Sequence, residues 1–210
     1  MKIIHVEQGS PEWKEARLCK ISGTRLADAI GTPLKQEDLI NNLIAEFLTG
    51  ESKEIFASQA MMLGTEAENF CVDEYECATG EITEEVGLCQ SDEFEWLISS
   101  PDRLIKNKGK YTKAVEIKSP NPETAIKYIR KDQIPKEYFA QVLCYFLVNE
   151  DLKELDFVVY SPKIQTDQYR LWVKNVKRKD MKEDLEKAKE KLIQFHAKWQ
   201  SALVNLNLAI

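Results

Sequence analysis

Residues 99–120 read SSPDRLIKNKGKYTKAVEIKSP and hold two carboxylates and a lysine in a spacing that could do chemistry. Asp102 follows an apolar run and Pro101, and fourteen residues later Glu116 and Lys118 stand two apart in V-E-I-K. On a strand, side chains alternate between faces, so Glu116 and Lys118 share one face while Val115 and Ile117 take the other. A Glu and a Lys on an inner strand are costly unless they are paired or bind something. If the strand before the NKGK turn pairs with this one, Asp102 joins Glu116 at one end of the sheet. Two carboxylates and a cation meeting there form a hard-oxygen site suited to Mg²⁺, with Mn²⁺ able to substitute. Such a site fits phosphodiester hydrolysis, in which the metal polarises the phosphoryl oxygen and acidifies its water. Lys118 would orient or deprotonate that water, or stabilise the pentavalent state. The competing reading is a surface Glu–Lys pair with no function, because a bare E-x-K arises by chance in most proteins. The S-P-D beside it brings the two readings level.

The elements that must position these residues change period along the chain. The first third predicts helices near 11–18, 24–30, 37–49 and 57–79, with Pro11 in a first turn and Gly50 and Gly80 as C-caps. ITEEVGLCQ, FEWLISS and YTKAVEIKS read as strands. Helical spacing returns over 122–131 and 136–149, strands follow at 154–161 and 167–176, and a charged helix spans about 179–203. The expected fold class is α/β or α+β with a mixed central sheet flanked by helices, in one domain over 1–210. Leu192, Phe195, Trp199 and Leu203 form an apolar stripe expected in the core or at a subunit interface.

Composition limits the partners. The chain has 210 residues, 43% hydrophobic and 30% charged, with no apolar run of the roughly 20 residues that span a bilayer. A cytoplasmic protein is expected. Its five scattered cysteines contain no CxxC pair, so neither a zinc site nor a disulfide framework is indicated. The formal net charge is −6, yet residues 37–95 carry sixteen acids and one basic residue, whereas 103–136 carry ten Lys or Arg against three acids. That asymmetry permits a polyanion partner on one face.

The ordered set QGSPEWKEARLCKISGTRLADAIG, MMLGTEAENF, SPDRL, EIKSP and YFAQVLCYFLV resembles the PD-(D/E)XK nucleases, and among them the lambda exonuclease or YqaJ-type phage recombination nucleases, over residues 8–148. The resemblance implies a restriction-endonuclease-like core in which Asp102, Glu116 and the Ile117 carbonyl bind metal and Lys118 completes the catalytic set. It also implies a helix-borne glutamate at the metal. Glu68 is chosen over Glu66 because it shares a helix face with Met61, Gly64, Cys71, Val72 and Tyr75. Gln141 lies on a stripe with Tyr138, Cys144, Tyr145 and Val148. Pattern alone leaves open a core glutamine bonded to backbone; the resemblance places it at the active site near the phosphate. Arg17, Thr24 and Ser100 would hold a 5′-terminal phosphate, against the plainer readings of a solvated arginine and an N-cap. Arg103 and Ser119 depart from the family, which often has Gly and Cys there.

The activity so implied is a 5′→3′ exonuclease on double-stranded DNA ends that leaves 3′ single strands for recombination. A homotrimer and a single-strand-annealing partner come with the resemblance, and no membrane role is expected. Three rivals remain. One is a related endonuclease or repair nuclease, disfavoured because such enzymes carry a four-cysteine iron–sulfur cluster and no cysteine follows Cys144. The others are a non-catalytic DNA-binding module and an unrelated Mg²⁺-dependent phosphohydrolase.

Overall fold

The sequence KYTKAVEIK forms the strand around which the site is built. In the computed structural model, which describes residues 1–52 and 59–208 (59–67 by backbone alone), this strand, β5, spans Lys110–Lys118. The elements before it are β1 (Lys2–Ile4), α1 (Pro11–Ala16), α2 (Gly23–Ala29), α3 (Pro33–Thr49), α4 (Gln59–Thr79), β2 (Leu88–Gln90), β3 (Ile98–Ser99) and β4 (Arg103–Asn107). After it come α5 (Pro122–Lys131), α6 (Lys136–Val148), β6 (Glu154–Tyr160), α7 (Asp167–Arg170), β7 (Leu171–Lys177), a 3₁₀ turn at Arg178–Met181 and α8 (Lys182–Asn205).

The main sheet is mixed and runs β4-β5-β6-β7, with β5 and β6 parallel and both outer pairs antiparallel. A second, antiparallel sheet joins β1, β2 and β3. β4 and β5 are linked by a tight turn in which Lys108 and Gly109 both have positive φ, at 50° and 82°. Two left-handed central residues are what a two-residue hairpin needs to match the strand twist. A register shift at Ile105/Lys106 adds a bulge to this hairpin.

Ala114, Val115, Glu116 and Ile117 are all buried, because helices cover both faces of β5. Ile105, Val115, Ile117 and Val158 pack under Cys71 and Tyr75 of α4. On the other face Ala114, Leu155, Phe157 and Val159 join the core formed with α2, α3, α5, α6 and α8. Leu192, Phe195, Trp199 and Leu203 lie in that core, which decides between the two places expected for the last helix.

Three expectations change. FEWLISS yields only the two-residue β3, and the strand that pairs with β5 is instead β4, whose polar end hid it. Most of ITEEVGLCQ is irregular, with Glu84 forming an isolated bridge to Leu104 and regular strand only at Leu88–Gln90. Residues 167–170 form a short helix before β7. Expectations on residues 57–58 and on the side chains of Met61, Gly64 and Glu66 lie outside the described residues. Among the described residues no helix is long and apolar enough to cross a membrane.

Candidate active site

Glu116 is 1% exposed on the α6-facing side of β5, and each of its carboxylate oxygens has partners. Oε1 accepts from Gln141 Nε2 at 2.7 Å and forms an ion pair with Lys118 Nζ. Oε2 accepts from the hydroxyl of Tyr145, which also lies 3.2 Å from the Ser100 carbonyl oxygen and 3.2 Å from Gln141 Nε2. Gln141 and Tyr145 are four residues apart on α6, so one helix face presents both to Glu116. Lys118 Nζ stands 4.9 Å from the centre of the Tyr138 ring, a cation–π contact that holds the amine over the same patch.

Asp102 reaches the site from the edge. It directly precedes β4, and its Oδ2 accepts the Ile117 backbone N–H at 2.6 Å. The β4–β5 ladder ends with Arg103 opposite Val115, so extending it by two residues sets Pro101 against Ile117. Proline has no N–H to donate. The Ile117 C=O points to the same side as its N–H, toward a strand that cannot bond to it. Pro101 thus leaves a carbonyl available beside two carboxylates.

Electrostatics agree with the geometry. Burial, then the nearby charges of Glu116 and Glu68, hold the Asp102 carboxyl well above the ordinary range, against the opposing pull of Lys118 and the Ile117 N–H. Glu68, half-buried on α4, is raised by burial first, with Arg103 opposing and Glu116 adding to the rise. Burial alone would lower the Lys118 ammonium, but Glu116 and Asp102 together raise it. It stays charged.

These residues fit a divalent cation. The donor set is oxygen only: the charges of Glu116 and Glu68 raise the proton affinity of Asp102, and that of Glu116 raises Glu68, an excess of negative charge that a cation relieves. The ligands are not closed into a cage. Among the described residues no group of three or more His, Cys, Asp or Glu is close enough to hold a metal as it stands. Glu68 feels the charge of Glu116 without completing such a group.

The expected phosphate residues divide. Arg17 lies beside Tyr145 and Cys144, its guanidinium 4.1 Å from the centre of the Trp13 ring, and it forms no ion pair with a carboxylate among the described residues. Burial and the neighbouring Arg25 lower its pKa to about 10, so it remains a cation next to Glu116's hydrogen-bonding shell. Ser100 contributes its carbonyl to Tyr145, while its hydroxyl donates to the Gly87 carbonyl at 3.3 Å. Thr24 is exposed and its hydroxyl pairs with Ser22 Oγ at 3.0 Å; no contact joins it to Glu116. Gly23, beside it, does touch the site, because α2 packs its backbone against Gln141.

Three groups escaped sequence reading. Tyr145 was counted only as an apolar neighbour of Gln141, although its spacing four residues on was the signal. Arg103 curls back to donate to the Asp102 carbonyl at 2.8 Å and meets Glu85 at 3.4 Å. Asp156, 3% exposed in the apolar LDFVV run, bonds Tyr75 at 2.6 Å, Asn175 at 2.7 Å and Lys113 at 2.8 Å, and so ties α4 to the sheet.

The charge asymmetry is also smaller in space than along the chain. Glu81, Glu84 and Glu85 of the acidic stretch pair with Lys113, Lys106 and Arg103 of the basic one. The exposed Lys108, Lys127, Arg130, Lys131 and Lys136 form no ion pair among the described residues.

A mixed sheet that brings two carboxylates and a lysine together on adjoining strands is suited to metal-assisted phosphodiester hydrolysis. The chain belongs to the YqaJ-like viral recombinase domain family, which matches residues 12–151. Its fold is similar to the crystal structure of an alkaline exonuclease (LHK-Exo) from Laribacter hongkongensis, at 28% identity and a TM-score of 0.83 over 94% of this chain and 96% of that one. The same enzyme in complex with dAMP matches at 27% identity and a TM-score of 0.78, over 94% of this chain and 98% of that one. A phage-related exonuclease from Haemophilus somnus 129PT shares the fold at 13% identity and a TM-score of 0.62, over 89% and 96% of the two chains. A comparison with curated proteins gives no match.

Proposed function

We propose that this protein is a Mg²⁺-dependent exodeoxyribonuclease, with Mn²⁺ able to substitute, that digests linear duplex DNA from its 5′ ends and leaves 3′ single strands for phage-type recombination. The observation that carries the reading is the buried Glu116, bonded at once by Lys118, Gln141 and Tyr145 while Asp102 closes on the next residue of the same strand. Asp102, Glu116, the Ile117 carbonyl and, after a small approach of α4, Glu68 would hold the metal. When bound, the metal supplies Lewis acidity toward the scissile phosphate and its attacking water. Lys118, charged and aimed by Glu116 and Tyr138, positions that water and offsets charge developing on the phosphorus oxygens. Gln141 keeps Glu116 oriented, and its amide reaches a phosphate only by giving up its N–H bond to Tyr145.

The 5′ polarity rests on Arg17, a cation beside the catalytic shell that forms no ion pair with a carboxylate among the described residues, suited to a terminal phosphate. Thr24 and Ser100 complete that clamp only if their hydroxyls leave Ser22 and Gly87. The exposed lysines and arginine of α5 and its flanks would track the duplex backbone, which carries no sequence information and weakens with salt. The similar structures are of exonucleases, one of them in complex with dAMP, a mononucleotide of the kind such digestion would release. A ring-shaped homotrimer, a single-strand-annealing partner and action in the host cytoplasm belong to the same proposal.

The test uses linear duplexes labelled at the 5′ or the 3′ end, beside covalently closed circles, in Mg²⁺ or EDTA. The expected result is release of 5′-terminal mononucleotides from linear DNA in Mg²⁺ alone, intact circles, and loss of activity in Asp102→Asn and Lys118→Ala. Cleaved circles would make the enzyme an endonuclease. Undiminished activity in either variant would sink the mechanism.

A further inference from the structure

We propose that Tyr145 is a positioning residue for the nuclease reaction: its hydroxyl fixes the plane of the Glu116 carboxylate. The inference rests on the proposed nuclease reading and adds to it a residue outside the acid–lysine set.

Tyr145 is 3% exposed, and its ring is locked in the core of α6, so its hydroxyl has one place to be. A tyrosine hydroxyl has a single hydrogen and can also accept. Here the hydrogen goes to Glu116 Oε2, because a bond to a carboxylate is stronger than one to a neutral carbonyl. The oxygen accepts from Gln141 Nε2 at 3.2 Å and rests 3.2 Å from the Ser100 carbonyl. The two oxygens of Glu116 are therefore held from different directions, Oε2 by Tyr145 and Oε1 by Gln141 and Lys118.

A carboxylate held from two directions resists rotation about its terminal bond. That orientation matters because Asp102 and Glu116 repel each other. Without the phenol donor, Glu116 would turn toward Lys118 and away from Asp102, opening the ligand set. Partners of this kind behind a ligand change metal affinity or activity by about 10–100-fold when removed.

Tyr145→Phe keeps the ring and removes one oxygen. Mn²⁺ binding without DNA is followed by electron paramagnetic resonance, together with metal-activation curves on a labelled duplex and a thermal melt. The expected result is Mn²⁺ affinity weakened by about 10–100-fold, an activation midpoint shifted to higher metal, and an unchanged KM for DNA ends. Tyr128→Phe, which loses a hydroxyl bonded to Glu137 at 2.9 Å, is the matched control and leaves Mn²⁺ affinity unchanged. Should Tyr145→Phe melt early, Gln141→Met, which keeps the helix and the side-chain volume, adds no charge and removes the amide donor to both Tyr145 and Glu116, reads the same network and should weaken Mn²⁺ binding likewise. Wild-type affinity in the folded Tyr145→Phe protein, with Mn²⁺ still bound by wild type, overturns this inference alone. Wild-type protein that binds no Mn²⁺ and cuts no DNA overturns the nuclease reading beneath it.

Discussion

Gly23→Ala makes a severe demand on the site from a position that touches no substrate. Gly23 is the first residue of α2, and a Cβ there would stand 2.9 Å from Gln141 Cγ, 3.5 Å from its Cα and 3.6 Å from its Cβ. Ordinary contact begins near 3.4 Å, so Gln141 Cγ must retreat by about half an ångström. The amide lies further out on the same lever and moves more. Its bond to Glu116 Oε1 is 2.7 Å long, and a shift of about 0.8 Å takes it to the 3.5 Å limit of a hydrogen bond. Overpacking costs about 1–3 kcal/mol, offset by about 0.4–1 kcal/mol from the lower backbone entropy of unfolded alanine. The protein should lose about 2.6 kcal/mol or less of stability, yet activity should fall by about 10–100-fold as Glu116 loses its orienting amide. The assay is turnover on a 5′-labelled duplex beside a thermal melt, for Gly23→Ala, Gln141→Ala and the double variant. If the damage passes through Gln141, the double variant is no slower than Gln141→Ala. Wild-type turnover in Gly23→Ala, or additive losses in the double, would refute the reasoning.

Three further outcomes follow from the buried polar groups. Glu46, 2% exposed, bonds Arg25 with both oxygens and the Cys19 N–H at 3.1 Å, so Glu46→Ala should cost about 3–5 kcal/mol in urea unfolding. Asp156→Ala strands the Tyr75 hydroxyl and half of the Lys113 ion pairing, and should cost about 3 kcal/mol while loosening α4, read as faster amide exchange over residues 68–79. His196, stacked 4.2 Å from Trp96, has its pKa lowered by burial. Its contribution to stability is therefore present above the ordinary imidazole pKa of about 6.5 and lost as pH falls through the lower folded value. The melting temperature should drop between pH 7.5 and pH 5.5, and His196→Gln should flatten that drop.

Much of the site could be read from pattern because its members break local rules. Glu116 and Lys118 stand out on an apolar strand, and Gln141 on an apolar helix stripe. Asp102 was reachable because Pro101 and the turn residues Lys108 and Gly109 frame a hairpin. What escaped was set by tertiary context. β4 ends in Lys106 and Asn107, polar because that end of the hairpin is solvated, so alternation alone could not reveal it. Tyr145 looks like any core aromatic until Glu116 is known to lie opposite. Glu81, Glu84 and Glu85 look like a repelling face in sequence, but folding lays them against Arg103, Lys106 and Lys113. Thr24 satisfies its hydroxyl locally on Ser22, an option that spacing does not reveal. The helices at 122–131 and 136–149 were legible from their apolar spacing, and the strand at 154–161 because burial on both faces leaves a nearly continuous apolar run.

The central claim is that Asp102, Glu116 and the Ile117 carbonyl, with Glu68 closing from α4, form one divalent-metal site. A crystal soaked in Mn²⁺, with anomalous diffraction recorded at the manganese edge, tests it directly. The account predicts an anomalous peak at about 2.0–2.3 Å from oxygens of Asp102, Glu116 and Ile117, with Glu68 drawn nearer than it lies here. No peak at those three oxygens, or one held elsewhere on the surface, would contradict it.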